Sequence, residues 1–217
     1  MAFEDNKHDV ARALLEIDAV GFTPQSPIRF KSGILSPVYV DNRRLPFHPR
    51  QWHTVIVGFA ELIENTDLSF DVIAGVAVGG VPHSSALAYH TGRPSLFVRK
   101  EAKGHGKGQR VEGGEVAHKR VLLVEDLVTT GGSSLSGIEA LRQEGANVER
   151  CLAIVSYGFV EAQTAFASAG ITLHTLTDFT TILDVAIDMK KFSSEQKRVV
   201  QDWFDDPYGW EKRQGLG

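Results

Sequence analysis

Five short, continuously apolar runs between residues 71 and 177 constrain the fold of this 217-residue chain more than any other feature. They are Asp71-Val-Ile-Ala-Gly-Val-Ala77, Ser95-Leu-Phe-Val-Arg99, Arg120-Val-Leu-Leu-Val-Glu125, and the stretches 148–157 and 171–177. Each has strand length and is rich in β-branched residues, without the polar alternation of a strand that keeps one face in water. The segments 81–89, 133–144 and 161–168, between most of these runs, have the pattern of helices. Strands alternating with helices predict an α/β fold: an open, mainly parallel sheet flanked by helices on both faces. Such sheets bind ligands beyond the carboxyl ends of their strands.

The rest of the chain fits one domain spanning 1–217, with no repeat, low-complexity tract or linker to divide it. Val10, Leu14, Leu15 and Ile17 mark a first amphipathic helix, and Trp52, Val55, Ile56, Phe59, Leu62 and Ile63 a second. Between them, five prolines punctuate residues 21–49 and leave room only for short strands around Arg29-Phe30 and Val38-Tyr39-Val40. The organisation expected is an N-terminal helix and punctuated segment (about 1–50), an α/β core (about 51–190) and a C-terminal helix and tail (191–217). Trp203, Phe204, Tyr208 and Trp210 either dock that tail on the body or line an interface.

Composition closes several routes. Cys151, in an apolar run, is the only cysteine, so intrachain disulfides, zinc fingers and iron–sulfur ligation are excluded. A net charge of -4 offers no basic footprint for nucleic acid. The charged start MAFEDNKHDV lacks a signal-peptide core, and the apolar run 72–81 is half the ~20 residues of a membrane helix, so a soluble cytoplasmic protein is expected. His48 with His53, or His83 with His90, makes no convincing metal site.

The chemistry concentrates in Val121-Leu-Leu-Val-Glu-Asp-Leu-Val-Thr-Thr-Gly-Gly-Ser-Ser134. A hydrophobic strand runs into the carboxylates Glu125 and Asp126, then into a hydroxyl- and glycine-rich turn, then into a helix closed by Gly145. Backbone N–H groups of such a turn gather at a helix N-terminus, where the dipole favours an anion such as phosphate. The two carboxylates can hold ribose hydroxyls or a magnesium ion. Ser, Thr and Gly are also ordinary capping residues, and it is the coupling of apolar strand, acidic pair and Thr-Thr-Gly-Gly that favours a ligand site. Neither the Gly-x-x-x-x-Gly-Lys-Ser/Thr phosphate loop nor the dinucleotide fingerprint occurs. A second segment, Arg99-Lys-Glu-Ala-Lys-Gly-His-Gly-Lys-Gly-Gln-Arg110, carries five Lys/Arg and a histidine among glycines. A long loop of this kind is a lid, a binding loop or solvated surface.

The segment 121–134 closely resembles the phosphoribosyl diphosphate signature of type I phosphoribosyltransferases, and the basic loop resembles the catalytic loop of the orotate phosphoribosyltransferase branch. Phe30-Lys-Ser-Gly-Ile-Leu-Ser-Pro-Val-Tyr-Val-Asp41 is similar to the N-terminal hood of that branch, and Gly75-Val-Ala-Val-Gly-Gly-Val-Pro-His83 to the family's diphosphate loop. The resemblance spans about residues 20–190, roughly four fifths of the chain. It implies a type I phosphoribosyltransferase-like sheet with a small hood, and transfer of phosphoribose from phosphoribosyl diphosphate to orotate. It implies that Glu125 and Asp126 grip the ribose hydroxyls, that Thr129, Thr130, Gly131, Gly132 and Ser133 cradle the 5-phosphate, and that Leu127 and Val128 between them also belong to the phosphoribosyl diphosphate site. Arg99, Lys100, Lys103 and His105 then face the diphosphate, with Lys103 and His105 closing over the leaving group. Catalysis is expected from Lys103, His105, Glu125 and Asp126. Magnesium is expected mainly through the substrate, with no direct protein ligand, and the resemblance implies a homodimer whose lid reaches across to the partner's site.

Two departures stand out. Val78 and Gly79 occupy places where some orotate enzymes carry an aromatic–lysine pair, and Ser156-Tyr-Gly-Phe159 stands where some members carry an Asp-Arg pair that helps to bind the base carboxylate. The orotate carboxylate is therefore expected to meet Thr129 and Lys31 instead. Two rivals remain: a phosphoribosyltransferase for another base, and a non-catalytic regulator that senses phosphoribosyl diphosphate and binds nucleic acid on the same fold. The hood and lid motifs argue against the first; the acidic charge and the retained loop argue against the second.

Overall fold

The computed structural model describes residues 3–101 and 109–216. The chain begins with helix α1 (Phe3–Glu16), followed by four short strands, β1 (Val20–Phe22), β2 (Ile28–Arg29), β3 (Leu35–Ser36) and β4 (Val38–Val40), and a 3-10 turn, Asn42–Phe47. Helix α2 (Pro49–Asn65) starts on a proline, whose fixed φ and missing N–H suit a first helical turn. Then come β5 (Val72–Val76), α3 (Gly80–Thr91), β6 (Ser95–Val98), β7 (Val111–Glu112), β8 (Arg120–Val128), α4 (Gly132–Gln143), β9 (Asn147–Ser156), α5 (Val160–Ser168), β10 (Thr172–Asp178), α6 (Phe179–Asp188), α7 (Ser194–Asp205) and α8 (Trp210–Arg213).

The central sheet has the order β10-β9-β8-β5-β6-β7 and is parallel except for β7. The five apolar runs are its five parallel strands, and the three predicted helices lie between them. Successive residues of each strand point to opposite faces, so both faces must be apolar. Ile73, Leu122, Val124, Leu152 and Ile154 join a core with α1, α2, α3, α6 and α7; Val72, Ala74, Leu123, Cys151 and Ala153 join another with α4 and α5. The chain leaves β5 toward β6 on one side and crosses back to β8 on the other, so the carboxyl ends of β5 and β8 flank a topological switch point.

The N-terminal strands form two small antiparallel ladders, β1 with β4 and β2 with β3. The C-terminal tail braces them from behind, which decides between the two places its aromatics could go. The buried Trp203 indole donates to the Leu35 carbonyl at 2.8 Å, and Arg29 pairs with Glu211 of α8. Phe30, Tyr157, Phe159, Phe179, Trp203 and Phe204 meet in stacked, tilted and edge-on contacts that join hood, the end of β9, α6 and tail. Trp210 is also buried, while Tyr208 stays exposed.

Candidate active site

A cleft of about 1370 Å³ opens at the carboxyl ends of β5 and β8, under the hood. Strand β8 does not stop at the acidic pair, as the sequence suggests, but continues to Val128. Its pairing with β5 ends at Gly75–Val124, whereas its pairing with β9 persists to Val128–Ser156. Glu125 and Asp126 therefore sit on the first residues of β8 that have lost one neighbour, and the cleft opens there. Glu125 is buried and accepts from the Ser134 hydroxyl at 3.3 Å and from the Asp126 N–H at 3.1 Å. Burial pushes its carboxyl well above the usual carboxylate range, and the adjoining Asp126 carboxylate adds to that. The pair thus presents one buried member, whose charged form is disfavoured, and one half-exposed member at the cleft wall.

Asp126 is set by its surroundings from two directions. The buried Asn42, at the end of the hood, donates to the Asp126 carbonyl at 2.6 Å. From the turn after β5, Gly79 approaches so closely that a Cβ there would lie 2.4 Å from the Asp126 carboxylate. A side chain at Gly79 would displace the Asp126 carboxylate, so a lysine at that place is incompatible with this arrangement of the acidic pair.

Beyond β8, Thr129, Thr130, Gly131, Gly132 and Ser133 line the cleft and lead into α4. Gly131 takes a left-handed φ of 83°, which an L side chain adopts only with strain. No side chain caps α4, so its first N–H groups are left for a ligand at the positive end of the helix.

The cations stand on the opposite wall. Lys31 of the hood and Lys100 of the basic loop approach within hydrogen-bonding reach, and that contact, with mutual repulsion, lowers the Lys31 ammonium from its ordinary value. Arg99 lines the cleft while pairing with Glu112 at 3.0 Å. The loop's stem is fixed: the Arg99 N–H donates to the Arg110 carbonyl at 2.8 Å, the Arg110 guanidinium donates back to the Arg99 carbonyl, and it also reaches Ser136 of α4. Lys103 and His105 lie outside the described residues.

The structure thus gathers Lys31, Arg99, Lys100, Glu125, Asp126, Leu127, Val128 and residues 129–133 around one cleft. Three contributors escaped sequence reasoning: Asn42, Gly79 as the neighbour of Asp126, and Arg43. The Arg43 guanidinium is bound to Asp41 and lies within the field of Asp126. The only signal for Asn42 and Arg43 was their place directly after the hood motif. Of the other arginines near the question of base binding, Arg29 lines the cleft but is held by Glu211, and Arg150 lies in the amino-terminal half of β9, away from the cleft, bonded to Thr172.

Comparison with known proteins places this arrangement. The model of the phosphoribosyl transferase domain family matches residues 51–165. A curated protein of Coxiella burnetii, orotate phosphoribosyltransferase, is 40% identical over 94% of this chain and 97% of its own length. Among solved structures, orotate phosphoribosyltransferase from Aeropyrum pernix superposes with a TM-score of 0.73 at 31% identity, covering 85% of this chain and 99% of that one. Leishmania donovani UMP synthase superposes with a TM-score of 0.82 at 27% identity over 92% of this chain, which spans 42% of that longer protein.

Proposed function

The chain belongs to the orotate phosphoribosyltransferase family, and from that membership we propose how its cleft divides the work of the reaction. The reaction transfers the phosphoribosyl group of 5-phospho-α-D-ribose 1-diphosphate to orotate, giving orotidine 5′-phosphate and diphosphate on the route to UMP. The bond from ribose C1 to diphosphate breaks as a bond from C1 to the base nitrogen forms. Positive charge develops on the sugar and negative charge on the leaving group, so positioning and charge stabilisation carry catalysis.

Glu125 and Asp126 hold the ribose hydroxyls, and the cradle from Thr129 to Ser133, reached through Leu127 and Val128, takes the 5-phosphate on the free N–H groups of α4. Arg99, Lys100, Lys103 and His105 face the diphosphate, Lys103 and His105 closing over it to exclude water. Orotate lies under the hood, its carboxylate taken by Thr129 and Lys31: Arg29 also lines the cleft, but its guanidinium is engaged by Glu211, and Arg150 lies at the amino-terminal side of the sheet. The observation that carries this reading is the junction of the acidic pair with an uncapped helix N-terminus, facing lysines across one cleft.

Magnesium would fit this wall mainly through the substrate: the half-exposed Asp126 carboxylate would hold ribose hydroxyls and leave an oxygen-rich surface at which diphosphate and water could supply the ion's ligands. When bound, it neutralises diphosphate charge. The chain works as one phosphoribosyltransferase domain (hood 1–50, core 51–190, tail 191–217) in a cytoplasmic homodimer with the lid shared between subunits. Large apolar side chains left in water, Phe47 at 87% and Tyr89 at 93% exposure, support an interface, and no helix among the described residues is long and apolar enough to cross a membrane.

Steady-state assays with orotate, uracil, xanthine and adenine test the reading. Diphosphate release with orotate alone is expected; equal turnover with another base would contradict it.

A further inference from the structure

Behind the acidic pair lies a buried polar side chain that the reaction as described does not use. His83 sits one turn into α3, four residues after Gly79, so it lies on the helix face that meets Asp126 at its start. It is fully buried. Its Nδ1 accepts a hydrogen bond from the Trp52 indole at 3.0 Å. An indole N–H only donates, so Nδ1 is without a proton. Burial lowers the imidazole to about 4, and the charge that reaches the ring is the Asp126 carboxylate. The neutral ring must then carry its proton on Nε2, and that N–H has no partner among the described residues. A buried donor left unpaired costs roughly 1–3 kcal/mol, and one such donor within the field of the Asp126 carboxylate calls for a reason.

We propose that His83 is a positioning residue for phosphoribosyl transfer: Trp52 fixes its tautomer, and its Nε2–H is the donor that Asp126 takes up when phosphoribosyl diphosphate is bound. Catalytic hydrogen bonds are often long or unmade in a free site and tighten in the complex. The donor would hold the Asp126 carboxylate oriented toward the ribose hydroxyls, while Asn42 fixes the same residue through its carbonyl. The inference rests on the reading of Asp126 as a ribose ligand.

Calorimetric titration of phosphoribosyl diphosphate into full-length wild type, His83→Asn and His83→Gln separates the two ends of the ring. Asparagine keeps an acceptor for Trp52 near the Nδ1 position and removes the donor at Nε2; glutamine returns an N–H close to Nε2. Expected are a dissociation constant raised about tenfold in His83→Asn, largely restored in His83→Gln, and no further loss when His83→Asn is added to Asp126→Asn. The orotate KM should stay unchanged. Wild-type affinity in His83→Asn, or no rescue by glutamine, would overturn the proposal. Should both variants lose stability, nitrogen-15 histidine spectra of the wild type decide: a proton on Nδ1 overturns it, whereas a proton on Nε2 whose signal shifts on adding phosphoribosyl diphosphate supports it. A wild type that binds phosphoribosyl diphosphate but does not turn over orotate would sink the functional reading and leave this binding test intact.

Discussion

Glu125 sits where a carboxylate is costly. Its unfolded-state value is the ordinary 4.5, and its folded-state value is well above that because of burial first and Asp126 second. Above pH 4.5 the folded chain binds more protons than the unfolded one, so this group's contribution to stability falls as pH rises through that window. Glu125→Gln should therefore raise the melting temperature of the free protein at neutral pH while weakening phosphoribosyl diphosphate binding, a combination that calorimetry and thermal melts read together. A lower melting temperature would contradict the burial argument. His83 acts on the acid side. Its folded value near 4 lies below the ordinary 6.5, so between those values the unfolded chain binds more protons and stability drops as pH falls, by about 3 kcal/mol in full. Urea melts from pH 7 to 4 should show that slope, and His83→Asn should flatten it. Gly79 makes the steric counterpart of these electrostatic demands. Gly79→Ala would drive a methyl into the Asp126 carboxylate, and orotate-dependent turnover is expected to fall at least tenfold with little change in melting.

Elements made of contiguous apolar residues were legible because burial on both faces writes itself into the sequence. The five parallel strands and the helices between them follow from β-branched runs of strand length. Strand β7 was not legible: two residues, Val111 and Glu112, carry no period, and only their pairing with Phe97 and Val98 makes them a strand. Nor was the extension of β8 through Glu125 and Asp126, since the sequence does not say that β5 ends at Val76 while β9 continues. The residues of the cradle and hood motifs were readable; their mutual supports, Asn42 on Asp126 and Trp203 on Leu35, join positions 84 and 168 residues apart and leave no local trace. The second of these makes α7 a brace for the hood. Trp203→Ala should cost about 3–5 kcal/mol in stability, as for other buried tryptophans, and should raise the orotate KM more than the phosphoribosyl diphosphate KM. Equal effects on both constants would argue that α7 stabilises the body without positioning the hood.

The cleft sets the β8 acidic pair against the cations of the hood and basic loop, of which Arg43 and Arg99 are themselves paired with Asp41 and Glu112. The proposed sharing of the lid between subunits makes a specific demand on mixtures. Lys103→Ala subunits and Asp126→Asn subunits, each nearly inactive alone, should regain about a quarter of wild-type activity after statistical exchange, because half the dimers are mixed and each has one intact site. No recovery despite proven exchange would show the lid acting within its own chain. The central claim, that the β8 acidic pair is the heart of a phosphoribosyl-transfer site, is tested most directly by orotate-dependent diphosphate release from the wild type and from Asp126→Asn. The account predicts turnover in the wild type and, in an Asp126→Asn protein of unchanged melting temperature, a loss of about two orders of magnitude together with weakened phosphoribosyl diphosphate binding. Wild-type turnover and affinity in that variant would contradict it.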